Sequence, residues 1–317
     1  MKVTRADVEQ RLQLAWPNAN PGRRGELVAF VMAAYNRYLA EGLGDAHFSV
    51  QLLSDISTTF QQRLSELLLA EWLWRHGFRL STPVKGHGPD FKATKGRHTA
   101  WIELVSPEPI GIDPKDLTVP QPGVFNVRDV PFAARILRWT HGLQAKQHQL
   151  AGHIQAGIVK PEDAYVIAVN ARLLDPIWSD ISGISRRPVP LEIGFGVGPI
   201  AIDFSRATGK AVGSRTTYRA NIVNRNGAPV DTNVFLDTAF NRVSAILGIA
   251  LHDGAASGRL YPSAVVYNPN ADTRVPTCWL PGEQHWTGKD FGEYWQLRRH
   301  HRPGRSRAGS KRRQCDR

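Results

Sequence analysis

The chain has 317 residues, enough to bury a stable core as one large domain or two ordinary ones. Its two cysteines, Cys278 and Cys315, form neither a disulfide framework nor a structural zinc pattern, and no apolar run approaches the roughly 18 to 20 residues that span a bilayer. The formal charge of +12 is concentrated at one end: nine Lys or Arg against Asp316 between Arg298 and Arg317, a net of +8, leave about +4 for the 297 residues before them.

Charges at Lys2, Arg5, Asp7, Glu9 and Arg11 interrupt the first 17 residues, so no secretory signal core is expected and a reducing cytoplasm fits best. Apolar spacing predicts helices over Leu27–Leu43 and Val50–His76, the second capped by Gly77. Strand character follows at Phe78–Ser81, Asp90–Ala93 and Trp101–Val105, the last two joined by the turn Lys95-Gly96-Arg97-His98. A loop rich in Pro and Gly from Pro107 to Gly123 leads to a long helix, Pro131–Ala156, and Ala164–Asn170 then reads as a buried strand. This order predicts a mixed α/β core over residues 46–175, preceded by a helical segment, 1–45. Residues 176–290 hold strand-like runs (AIDF, NVFLD, AVVY) and the segment Val243–Leu251 of either type. They are expected to extend the same sheet or to add a β-rich part, with a disordered basic tail over 291–317.

An antiparallel hairpin turning at Gly96-Arg97 pairs residues whose numbers sum to 193, which sets Asp90 opposite Glu103 and Phe91 opposite Ile102. Opposed Cβ atoms lie about 4.5 to 5.5 Å apart, so the two carboxylates can share a hard divalent cation. Alternation sends Phe91, Ala93, Ile102 and Leu104 to one face and Asp90, Glu103 and Val105 to the other. A solvated hairpin is the bland alternative, but Trp101, Ile102, Leu104 and Val105 around Glu103 suggest a buried strand, where a carboxylate needs a partner.

The segment Gly88-Pro89-Asp90-Phe91, followed by Trp101-Ile102-Glu103-Leu104-Val105, resembles the PD-(D/E)XK signature of restriction endonucleases and related nucleases. The helix carrying Glu66, and the later helix followed by AYVIAVN, resemble the same common core over roughly residues 57 to 170. The resemblance implies a restriction endonuclease-like mixed sheet flanked by helices, hydrolysis of DNA, and Mg²⁺ (or Mn²⁺) held by Asp90, Glu103 and the carbonyl of residue 104. It also implies a Lys two positions after the Glu, where this chain has Val105. Some members supply that Lys from the following helix. Here Arg135, Gly142, Lys146, Gln149 and His153 share one helical stripe while Ile136, Leu143, Leu150 and Ile154 share another, which makes Lys146 the candidate. A stripe that merely faces water is the competing reading.

Glu66 is a possible third acidic group, with Arg63 and Gln149 as auxiliaries. Gly194-Phe-Gly-Val-Gly198-Pro199 is not a phosphate loop, and His141, His148 and His153 lack zinc-site spacing. The tail cations Arg298, Arg299, Arg302, Arg305, Arg307, Lys311, Arg312 and Arg313 form a candidate phosphate-binding arm. The expected partner is nucleic acid, DNA first, with no membrane and with a homodimer left open. The rival functions are an inactive nucleic-acid-binding module of the same fold and a protein–protein scaffold.

Overall fold

Glycine placement, caps and apolar runs divide the chain into an eight-stranded mixed sheet between two helical layers. The computed structural model describes residues 3–45, 47–82, 88–118, 123, 129–292 and 294–300. Four helices come first: α1 (Arg5–Ala15), α2 (Pro21–Ala40), α3 (Phe48–Leu52) and α4 (Ser57–Arg75). Helix α1 starts at a capping box in which Thr4 and Asp7 exchange side-chain to backbone bonds. The single helix expected over Val50–His76 is broken instead between Leu53 and Ile56. Ser54 Oγ accepts the Ile56 N–H at 3.1 Å, and the Ser54 carbonyl is taken by the Arg11 guanidinium at 3.1 Å. The side-chain turn and the cation from α1 thus replace the helical bonds that would have continued across.

Strands β1 (Arg79–Ser81), β2 (Phe91–Lys95) and β3 (His98–Val105) follow, then α5 (Phe132–Gln155) and β4 (Tyr165–Asn170). The β2–β3 register pairs Phe91 with Ile102 and Lys95 with His98, as the two-residue turn demands. After α6 (Val189–Phe195) come two separate two-stranded ribbons, β5 (Val197–Phe204) with β6 (Ala211–Tyr218) and β7 (Asn221–Val223) with β8 (Pro229–Asp231). Strands β9 (Ala245–Ile249), β10 (Ser263–Tyr267), β11 (Gln284–Asp290) and β12 (Trp295–His300) then return to the main sheet. Its order is β1-β2-β3-β4-β9-β10-β11-β12, with β3, β4 and β9 parallel at its centre. The 176–290 segment therefore does both things expected of it, extending the sheet and adding ribbons outside it.

Two expectations need correction. The run NVFLD is not a strand: Val234–Leu236 and Thr238–Arg242 are 3-10 turns, fixed by Asn270 donating to the Phe235 carbonyl at 2.8 Å and by Asp237 capping the Ala239 N–H at 2.9 Å. The tail expected from residue 291 begins later, because Trp295–His300 pairs with β11 as the sheet's last strand. Among the described residues no helix is long and apolar enough to cross a membrane.

Two apolar layers flank the sheet. On one face Phe91, Ala93, Ile102, Leu104, Val166 and Leu247 meet α1, α2 and α4. On the other, Trp101, Tyr165, Ile167, Val169 and Ile246 meet α5 and α6, with Val105 packed against them. Far along the chain, Trp279 packs edge-on against Phe78 and donates its indole N–H to the Lys95 carbonyl at 3.0 Å, tying the hairpin turn to a residue 184 positions later.

Helix α5 crosses β3 closely because Gly142 has no side chain. A Cβ there would stand 3.3 Å from Val105 Cγ1 and 3.4 Å from Pro107 Cγ. A mid-helix glycine costs about 1 kcal/mol of helix propensity relative to alanine, so this close approach is what offsets it. Gly142→Leu should restore that propensity yet lose about 1 to 3 kcal/mol overall, because the added atoms overpack the α5–β3 contact. Urea unfolding monitored by circular dichroism would register a lower midpoint at unchanged slope; a midpoint equal to the wild type's would mean that the contact is slack.

Candidate metal and catalytic site

Asp90 enters its place through Gly88, whose φ of +125° is open to glycine, and Pro89, which leads the chain into β2 without removing a ladder bond. By continuation of the β2–β3 register Asp90 lies across from Glu103, and its Oδ2 accepts the Leu104 N–H at 2.6 Å. Glu103 occupies the middle of a strand buried from Ala100 to Leu104 and is itself only 4% exposed. Phe91 and Ile102 go to the opposite layer, so the hairpin has one packing face and one acidic face, as its alternation predicts.

The polar stripe of α5 faces the sheet rather than water. Lys146 Nζ reaches Glu103 Oε1 at 2.5 Å, and His153, two turns on, brings Nε2 to 4.0 Å from Glu103 Oε2. Neither Oε2 nor that imidazole nitrogen has a hydrogen-bond partner among the described residues, although both are buried. Gly142 lets the helix approach, and Arg135 at the other end of the stripe pairs with buried Asp175 at 3.2 Å. Gln149 remains exposed and outside the site. His153 was within reach of the sequence, since it shares the Lys146 stripe, but the spacing of the histidines alone hides it.

Glu66 is 7% exposed because α4 is sandwiched between the sheet and the other N-terminal helices, so it has no solvated face at this turn. Tyr38, from α2, donates its hydroxyl to Glu66 Oε1, and Arg63 Nη1 meets Oε2 at 2.5 Å. Both oxygens of Glu66 are therefore engaged by this chain. Tyr38 carried no signal in the sequence, since only the packing of α2 on α4 brings it there. Neighbouring Glu71 pairs with Arg75 and stays out of the group. Gln62, Arg63, Glu66, Asp90, Val105 and Lys146 line one cavity of about 140 Å³, room for several water-sized groups.

Burial pushes the Glu103 carboxyl up to about 7, with the nearby Asp90 charge adding to the rise and Lys146 opposing it. Glu66 is likewise raised to about 7, by burial first and by Asp90 second, against the pull of Arg63 and the Tyr38 hydroxyl. Asp90 is raised by burial while Lys146 and the Leu104 N–H act to lower it. His153 is lowered, by burial and then by the charge on Lys146.

Among the described residues no group of three or more His, Cys, Asp or Glu side chains is arranged to hold a metal. The donors that do fit a hard cation are Asp90 and Glu103, with the Leu104 carbonyl as the expected third oxygen. The fit rests on Glu103 Oε2, a buried acceptor with no partner of its own. Of the tail cations, Arg298 and Arg299 lie on β12, while Arg302, Arg305, Arg307, Lys311, Arg312 and Arg313 are outside the described residues. No protein-family model, curated protein or solved structure matches the chain.

The Glu66 environment gives a pH test. Its carboxyl has an ordinary value of 4.5 and is held near 7 in the fold, so between these values the folded chain binds more protons than the unfolded one. Its contribution to stability is complete at the acid end of that window and is lost as pH rises through it. Glu66→Gln should make the fall in unfolding free energy less steep, by up to about 1.4 kcal/mol per pH unit. Urea titrations across the window in the presence of a chelator measure this; an unaltered slope would show that Glu66 ionises as it does in water.

Proposed function

We propose that this protein is a metal-dependent phosphodiesterase that hydrolyses DNA, a PD-(D/E)XK-type nuclease on a restriction endonuclease-like sheet, with its lysine supplied by α5. The observation that supports this most is the Lys146 to Glu103 contact at 2.5 Å. It brings an ammonium to the acidic face of β3, where Val105 leaves the expected strand position aliphatic.

Asp90, Glu103 and the Leu104 carbonyl would hold Mg²⁺ or Mn²⁺, which supplies polarisation of a phosphoryl oxygen and acidification of a water. Lys146 offsets negative charge as it grows on the phosphoryl oxygens and orients the attacking water by hydrogen bonding. Attack of that water on phosphorus breaks one P–O ester bond, and the departing sugar oxygen takes up a proton. Arg63 extends from α4 into the same cavity and can pair with a non-bridging phosphate oxygen while it keeps Glu66 in place. The layers on both faces of the hairpin hold these groups on rigid strands and helices rather than on loops.

Val105 also favours one rival, a binding module of this fold without hydrolysis, and one assay separates the two. Linear and circular DNA incubated with and without Mg²⁺ or Mn²⁺ should be cut only when the metal is present, and Asp90→Ala or Glu103→Ala should abolish cutting in a protein that still gives a native circular dichroism spectrum. Binding without any cutting under either metal would leave the module reading.

Lys146→Ala should slow cleavage by roughly 10²- to 10⁴-fold, the scale for loss of a positioned charge-stabilising or proton-transferring group. Combining it with Val105→Lys should recover part of the rate, since β3 then projects a cation to the same side as Glu103. A Lys146→Ala protein that cuts at the wild-type rate would remove lysine from the mechanism.

A further inference from the structure

The charge of the chain outside its last 20 residues is not spread evenly. Between residues 197 and 232, the stretch that forms the two ribbons, five cations (Arg206, Lys210, Arg215, Arg219 and Arg225) stand against Asp203 and Asp231, a net of +3. The whole body up to residue 297 amounts to about +4. Most of the net positive charge of the body thus sits on a segment that makes up about a tenth of it.

The β5–β6 ribbon is also the least buried regular structure in the chain. From Gly198 onward its strands bury no residue completely, and Ile200, Ile202 and Phe204, which alternate on one face, are 49%, 58% and 61% exposed. A two-stranded ribbon is marginal in water by itself, so a long one with an open apolar edge is suited to lie against something. Arg206 and Lys210, near its tip, have no ion-pair partner among the described residues, and Arg215 has only the exposed Asp203 at 3.3 Å. The roots of the ribbons fix their side of the molecule. Val197 and Ile222 belong to the apolar layer that contains Trp101 and Val105, the residues on either side of Glu103 on its own face. The shorter ribbon leans on α5, the helix that carries Lys146, and Arg225 at its turn donates to the Gly111 carbonyl at 2.8 Å.

From these observations we infer that the β5–β6 ribbon is the element that holds a DNA duplex to this protein. A two-stranded ribbon has the width of the major groove, its cations meet phosphates, and its apolar face meets sugar edges and thymine methyl groups. The identity of the partner as DNA rests on the nuclease reading; the assignment of the surface rests on the ribbon's charge and exposure.

The test uses the full chain and a fluorescent duplex of about 30 base pairs in a chelator, so that cleavage is silent and only binding is read, by anisotropy over a salt series. Replacing Arg206, Lys210 and Arg215 together by Gln should weaken binding at least tenfold near physiological salt and flatten the plot of log affinity against log salt by about 2 to 3, as three lost phosphate contacts require. Ile202→Thr with Phe204→Thr should weaken binding without altering that slope. All these side chains are exposed, and thermal melting checks that the variants remain folded. A wild-type protein that binds while the triple variant keeps the same affinity and slope overturns the ribbon and leaves the nuclease reading intact. Ribbon-dependent binding by a protein that cuts nothing does the reverse. If sedimentation shows that the threonine pair converts a dimer to a monomer with duplex affinity unchanged, the ribbon joins two copies of this chain and the inference fails.

Discussion

Glu103 sits in the interior of a sheet, flanked above and below by side-chain layers and opposed by a second acid. An ionised carboxylate in such surroundings is costly unless cations and hydrogen-bond donors meet it, and removing its partner would leave the charge stranded. Much of the local architecture answers to this one demand. Helix α5 has to pass near enough for a lysine to reach the strand, which a side chain at position 142 would prevent. The stripe of α5 that would ordinarily look outward is turned to the sheet and carries Lys146 and His153 there. The backbone of β3 helps from the other direction, with the Leu104 N–H pinning Asp90.

The balance of charge around the cavity follows from the same constraint. Three carboxyl groups, on Glu66, Asp90 and Glu103, are faced by the two permanent or near-permanent cations of Arg63 and Lys146, with a third base, His153, whose proton affinity is reduced. A site of this kind is short of positive charge rather than of negative charge. One divalent ion would reverse the sign and make the cavity attractive to a phosphate, so the protein side of the site is suited to discriminate between its loaded and empty forms. Glu66 takes no direct part in that exchange, since Tyr38 and Arg63 occupy both of its oxygens; it holds Arg63 and keeps the wall of the cavity rigid.

How far this was legible depended on how local each interaction is. The Asp90–Glu103 juxtaposition follows from a two-residue turn and the two-residue period of a strand, and the register Phe91 to Ile102 came directly from these. Lys146 could be proposed because a helical stripe is also a local property, but which side of that stripe met the sheet was decided by Gly142 and Val105, and composition does not show this. Glu66 seemed a solvated residue of an amphipathic helix because nothing in its neighbourhood announces the second helical layer above it. The break at Ser54 depends on Arg11, 43 residues earlier, and the conversion of NVFLD to 3-10 turns depends on Asn270, 35 residues later. Ribbon and sheet strands after residue 190 have similar compositions; what separates them is whether a neighbouring strand covers them, which is a matter of topology.

The bond from Trp279 to the Lys95 carbonyl has a bearing on the order in which the molecule comes into being. A ribosome delivers the acidic hairpin and α5 long before it delivers Trp279, yet β9 and β10, which complete the centre of the sheet, and the indole that fastens the outer end of the hairpin belong to the last quarter of the chain. Contacts that span so much sequence form late and slowly. The nascent polypeptide therefore carries its acidic residues through most of synthesis without the frame that holds them at fixed separation, and a product truncated before residue 245 would possess every side chain of the candidate site but no scaffold to align them.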